Sequence, residues 1–69
     1  MKLVSKIIDK QIDHEDVKEY PFPSHSSAKR FIETTSVWFE NNGYRRYEKD
    51  GKTVFIAPNG LTVEYELII

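Results

Sequence analysis

Apolar positions along this chain fall into three kinds of spacing, and each kind predicts an element. Over 24–43 the set Ala28, Phe31, Ile32, Thr35, Trp38 and Phe39 recurs at three and four residues, the spacing of one helical face. Lys29, Glu33, Ser36, Glu40 and Asn41 fall opposite, so the segment reads as one amphipathic helix with a dry stripe and a wet one. Ser24 or Ser26 suits the N-cap, and Gly43 suits the left-handed residue that closes a helix. With Trp38 in the stripe, its truncation would cost about 3–5 kcal/mol.

From residue 44 onward the period changes to two. The runs YRRYEK, KTVFIA and LTVEYELII are divided by Asp50-Gly51 and by Pro58-Asn59-Gly60, which predicts a three-stranded antiparallel meander over 44–69. Leu61, Val63, Tyr65 and Leu67 alternate with Thr62, Glu64 and Glu66, so the last strand has one buried and one wet face. The register of the middle strand stays open. Two-residue loops at both turns place Tyr47, Val54, Ile56, Val63 and Tyr65 on the core face, whereas a type I turn with a glycine bulge at both replaces Val54 and Ile56 by Phe55. In either case Tyr44, Arg46, Glu48, Glu64 and Glu66 are expected outside.

The N-terminal third is less regular. Residues 1–12, with Val4, Ile8 and Ile12 four apart among lysines, fit a helix or a strand, and the β-branched content favours a strand over about 2–9. Residues 13–23 read as a connector: an acidic cluster, DHEDVKE, followed by YPFPS, whose two prolines disfavour regular pairing. The cluster is no EF-hand calcium loop, because His14 and Tyr20 stand where that loop needs glycine and a bidentate glutamate. The expected fold is a single α+β domain over 1–69, one helix packed on an antiparallel sheet of three to four strands in the order β-α-β-β-β.

Size and charge narrow the functional classes. A chain of 69 residues buries only about 60% of its unfolded surface and has no cysteine to cross-link it. One tryptophan, four tyrosines and four phenylalanines are the expected compensation. Ten Lys and Arg against eleven Asp and Glu argue against a dedicated polyanion binder. No secretory signal or membrane-length apolar run is readable, which makes the cytoplasm the expected location.

Candidate chemistry is sparse. His14 and His25 stand apart in polar surroundings, Ser24, Ser26 and Ser27 are explained by helix capping, and no phosphate loop, zinc spacing or dinucleotide fingerprint occurs. The expectation is therefore a protein without catalytic activity, metal or cofactor. What remains is surface: Tyr44, Arg45, Arg46, Lys49, Lys52, Phe55 and Ile68 form the candidate binding set. They fit a small intracellular binding or regulatory protein, of the sort phages and other mobile elements encode, acting through a sheet edge or the outer sheet face on another protein or on a second copy of itself. The alternative is a nucleic-acid-binding module on the Tyr44 to Lys52 hairpin, where aromatic and basic residues mix.

In layout, the stretch FENNGYRRYEKDGKTVFIAP resembles the small HicA-type toxins, whose double-stranded-RNA-binding-like fold runs from a helix ending in Asn-Gly-aromatic into a hairpin with Gly-Lys and an apolar strand. The resemblance covers about half of the chain and implies a shared core shape. It does not extend to ribonuclease activity, since the Gly-Ser-His segment of those toxins is absent from Tyr44 to Glu48.

Overall fold

The computed structural model describes all residues from Met1 to Ile69. Two hairpin-forming units flank one helix: β1 (Lys2–Asp9) and β2 (His14–Pro21), then α1 (His25–Asn41), then the meander β3 (Arg45–Lys49), β4 (Lys52–Ile56) and β5 (Thr62–Ile68). All five strands join one antiparallel sheet in the order β2-β1-β5-β4-β3. The helix carries the chain from one edge of the sheet to the other, and the meander brings it back until β5 pairs with β1 at the centre. This is the expected α+β class, with five strands in place of three or four.

The fifth strand is β2, where a connector over 13–23 is expected from the sequence. It escapes notice because no helix covers either of its faces, so it carries no apolar alternation. Its stability comes from the ladder with β1 and from diagonal cross-strand pairs, Lys2 with Glu19 and Lys6 with Glu15 (2.8 Å). Pro21 is tolerated for a geometric reason. Phe22 N–H donates to the Met1 carbonyl, and bonded and non-bonded pairs alternate along an antiparallel ladder, so the N–H that Pro21 lacks would have pointed off the sheet.

The two turns of the meander are of different kinds, which settles the register in a way neither uniform choice anticipates. Asp50 and Gly51 both have positive φ (51° and 77°) and form a two-residue loop between the paired Lys49 and Lys52. At the other turn Ala57 N–H donates to Leu61 O and Gly60 N–H to Ala57 O, with Gly60 at φ 91°, a three-residue loop with a glycine bulge. That single extra residue places Phe55, Val63 and Tyr65 on the helix side and turns Val54 and Ile56 outward. Tyr47 goes outward with them, opposite Val54. Tyr44, Arg46 and Glu48 take the helix side instead of the solvent side expected of them.

The core consists of Leu3, Ile32, Phe39, Phe55, Val63 and Tyr65, with Phe22, Tyr44 and Leu67 packed against it. On α1 the buried positions are Ala28, Ile32, Ser36 and Phe39, a narrower seam than expected and rotated toward Ser36. Ser36 enters the core at low cost because its hydroxyl donates to the Ile32 carbonyl at 2.8 Å. Phe31 and Trp38 lie at the margins of the seam. Trp38 is 58% exposed, with its ring 5.2 Å from Phe39 and 6.3 Å from Tyr44. The Trp38→Ala substitution is accordingly expected to lower stability by about 1 kcal/mol in chemical denaturation, the value of marginal aromatic contacts, and a loss above about 3 kcal/mol would contradict this placement.

The helix ends as its sequence indicates. Ser24 is the N-cap, its hydroxyl oxygen accepting from Ser27 N–H at 3.2 Å, and in return the Ser24 N–H donates to the Ser27 hydroxyl oxygen. Gly43 closes the other end at φ 85°.

Candidate binding surface

Alternation along the strands divides the sheet into a face that α1 covers and one that nothing covers. The uncovered face can be written out from the register. One row crosses the sheet as Glu15, Ile8, Thr62, Ile56 and Arg45, and the next as Val17, Lys6, Glu64, Val54 and Tyr47. Ile8, Val54, Ile56 and Tyr47 thus lie together toward the β3 side, in a shallow depression of about 550 Å³ bordered by Lys10, Lys49, Lys52 and Glu64. Tyr47 is 47% exposed, and Ile56 is also open to solvent. No second layer covers these apolar groups, which run from β1 to the edge strand β3.

The seven residues of the candidate set separate across the two faces. Arg45, Lys49 and Lys52 lie on the uncovered face around Tyr47, and Lys52 makes a long ion pair with Glu64 (3.8 Å). Ile68 is on the same face at the far corner, opposite Lys2 in the ladder. The other three leave the set. Phe55 is fully buried beneath the helix. Tyr44 packs its ring 4.7 Å from Phe39, which makes it a lid on the core. Arg46 turns toward α1.

Arg46 has a structural task. Its guanidinium donates to both Glu33 carboxylate oxygens (3.2 and 3.0 Å), to the Ser36 hydroxyl (3.1 Å) and to Glu48 (2.9 Å), while Glu48 also accepts from Thr53. A bidentate arginine contact of this kind ties the helix to the edge strand β3. Hydrogen bonding to Glu33 raises the Arg46 pKa far above any working pH, and the reciprocal bond with its charge lowers that of Glu33. A carboxylate with a depressed folded-state pKa adds stability that is present above its unfolded pKa and is lost as pH falls through the folded one. Stability should therefore decline in acid below the ordinary glutamate value of about 4.3. Glu33→Gln should flatten that decline in denaturation midpoints measured against pH, and an unchanged profile would show that the pair is not coupled to folding.

Tyr47, expected in the core under either choice of turns, is a surface residue, and Val54 and Ile56 are outward as the bulged alternative has them. The signal that separates the two turns is their chemistry: Asp-Gly between lysines favours the two-residue loop, and Pro-Asn-Gly the bulged one. His14 stands opposite Asp9 in the β1–β2 ladder, and no group of three His, Cys, Asp or Glu side chains converges anywhere in the molecule. No helix is long and apolar enough to cross a membrane.

Comparison with family models, with curated proteins and with solved structures yields no match to this chain.

Proposed function

We propose that this chain is a small macromolecule-binding protein that receives a protein partner on the uncovered face of its sheet. One observation carries the reading: Ile8, Val54, Ile56 and Tyr47 form an apolar group on the β3 half of that face, with Tyr47 and Ile56 exposed, Ile8 and Val54 half-buried, and charges of both signs around them. Apolar centres with polar rims are the usual anatomy of a protein-binding patch, and a tyrosine within one is a frequent hot spot. The partner that fits offers apolar side chains to this centre and mixed charges to Lys49, Lys52 and Glu64. Regulation by binding, without catalysis, is the role this surface supports.

A second reading rests on a separate observation. Tyr47 stands on β3 between Arg45 and Lys49, all three on the uncovered face, while Glu48 turns to the helix side. A stacking ring flanked by cations suits single-stranded nucleic acid, where each base stacked is worth about 1–3 kcal/mol.

One variant serves both readings, and salt separates them. Tyr47→Ala should leave the fold intact and weaken binding by about 2 kcal/mol, roughly thirtyfold in affinity. For a protein partner retained by the wild-type chain, Ile56→Asp should abolish retention and moderate salt should change it little. For single-stranded oligonucleotides, binding should fall steeply with added salt. Absence of oligonucleotide binding at low salt ends the second reading, and partner retention indifferent to both Tyr47→Ala and Ile56→Asp ends the first.

A further inference from the structure

The outer edge of β2 is the longest free strand edge in the molecule, and its charges are arranged for one particular occupant. Because Pro21 and the odd-numbered positions before it are non-bonded toward β1, the N–H and C=O groups of Glu15, Val17 and Glu19 point off the sheet. Val17, midway along this edge, is 53% exposed. On either side of it, and on the helix side of the sheet, stand Asp16 and Lys18, neither of which makes an ion pair within the chain.

We propose that β2 pairs antiparallel with β2 of a second copy, on a two-fold axis through Val17, joining two five-stranded sheets into one of ten strands. In that register Val17 faces Val17, and Glu15 faces Glu19 on each side, so the three outward positions of each copy exchange about six backbone hydrogen bonds. Asp16 of one copy then lies directly opposite Lys18 of the other, twice, and Tyr20 opposite His14. Glu15 and Glu19 face each other across the outer surface, but each already holds its own lysine, Lys6 and Lys2.

Charge selects this register over its neighbours. A shift of the axis to Asp16 sets Asp16 against Asp16, and a shift to Lys18 sets Lys18 against Lys18, both destabilising cross-strand pairs. An axis at Glu19 brings Val17 opposite Pro21, which has no N–H to give. Charged side chains on a strand edge ordinarily discourage pairing. Here their order repels in the adjacent registers and attracts in one. The surface is separate from the patch around Tyr47, so the dimer stands or falls independently of the partner reading above.

An edge-to-edge contact is smaller than a standard interface, so sedimentation equilibrium from about 10 μM to about 1 mM spans the affinity it should have. The wild-type chain is expected to move toward twice its 8.1 kDa mass across that range. Asp16→Lys and Lys18→Asp should each remain at one chain mass when alone, with far-ultraviolet circular dichroism unchanged. Mixed in equal amounts, the two single variants should form a heterodimer, because each supplies the charges the other needs. The double variant D16K/K18D should dimerise as the wild type does. Val17→Pro, which removes an outward N–H that the monomer leaves unpaired, should also block assembly. A wild-type chain that stays monomeric throughout the range overturns the proposal, and so does a dimer indifferent to these charge exchanges.

Discussion

Phe55→Ala is expected to cost about 3–5 kcal/mol, the penalty for emptying a fully enclosed aromatic site, and so to leave the chain largely unfolded. Phe55 has no exposed surface. Its ring stacks on Phe39 at 4.6 Å and 21°, and meets Tyr65 nearly edge-on at 6.0 Å and 72°. The three rings come from the helix, from β4 and from β5, so one truncation loosens every layer of the packing. A core of this size supplies only about 3–5 kcal/mol of net stability, which the loss would consume. Urea titration followed by far-ultraviolet circular dichroism measures it, and Phe55→Leu, which keeps most of the volume, should lose about 1.5 kcal/mol or less. If Phe55→Ala costs less than about 1 kcal/mol, the ring is not the centre of the core and the register of β4 is wrong.

How much of this was legible in the sequence follows from which forces are local. The helix, its serine cap and its closing glycine are decided within a few residues, and they appear where the periodicity places them. The alternation of β5 was equally plain, since one of its faces meets the helix and the other meets water. Three features were not legible. β2 lacks an apolar face because nothing covers it, and its pairing depends on lysines of β1 that the sequence does not mark as partners. The register of β4 hangs on one residue more in the second turn than in the first, a local difference with a consequence for every side chain beyond it. The rotation of α1 turns Glu33 and Ser36 toward Arg46 of β3, which bonds both, and Trp38 lies at the margin. An apolar count cannot anticipate a polar contact of that kind.

The same logic explains the functional surface. Tyr47, Val54 and Ile56 read as core residues when both turns are taken as two-residue loops, because apolar side chains in a strand are first assigned to the interior. They become informative only once the register turns them outward, where hydrophobic groups clustered on an uncovered sheet face call for an occupant. Arg45, Lys49 and Lys52 were identified by type, and the structure supplies the reason to group them: they surround Tyr47 on one face.

Leu3→Ala is the second substitution with a large expected effect, about 2–5 kcal/mol. Leu3 is fully buried although it lies two residues from the N-terminus, where chains usually fray. The reason is topological. β1 is flanked by β2 and β5, so its side chains stand near the middle of the sheet, and the pairing of Lys2 with Ile68 brings the two ends of the chain together. Leu3 itself lies between Tyr20 and Leu67 in the ladder and beneath the helix cluster. Its truncation empties a site that the short β1–β2 hairpin cannot collapse to fill, because β2 contributes no buried side chain of its own. The comparison that isolates the effect is Val4→Ala on the opposite face of the same strand, expected to cost about 1 kcal/mol or less. Equal losses at the two positions in urea titrations would mean that β1 does not present Leu3 to the core, and the central place of the first strand would have to be abandoned.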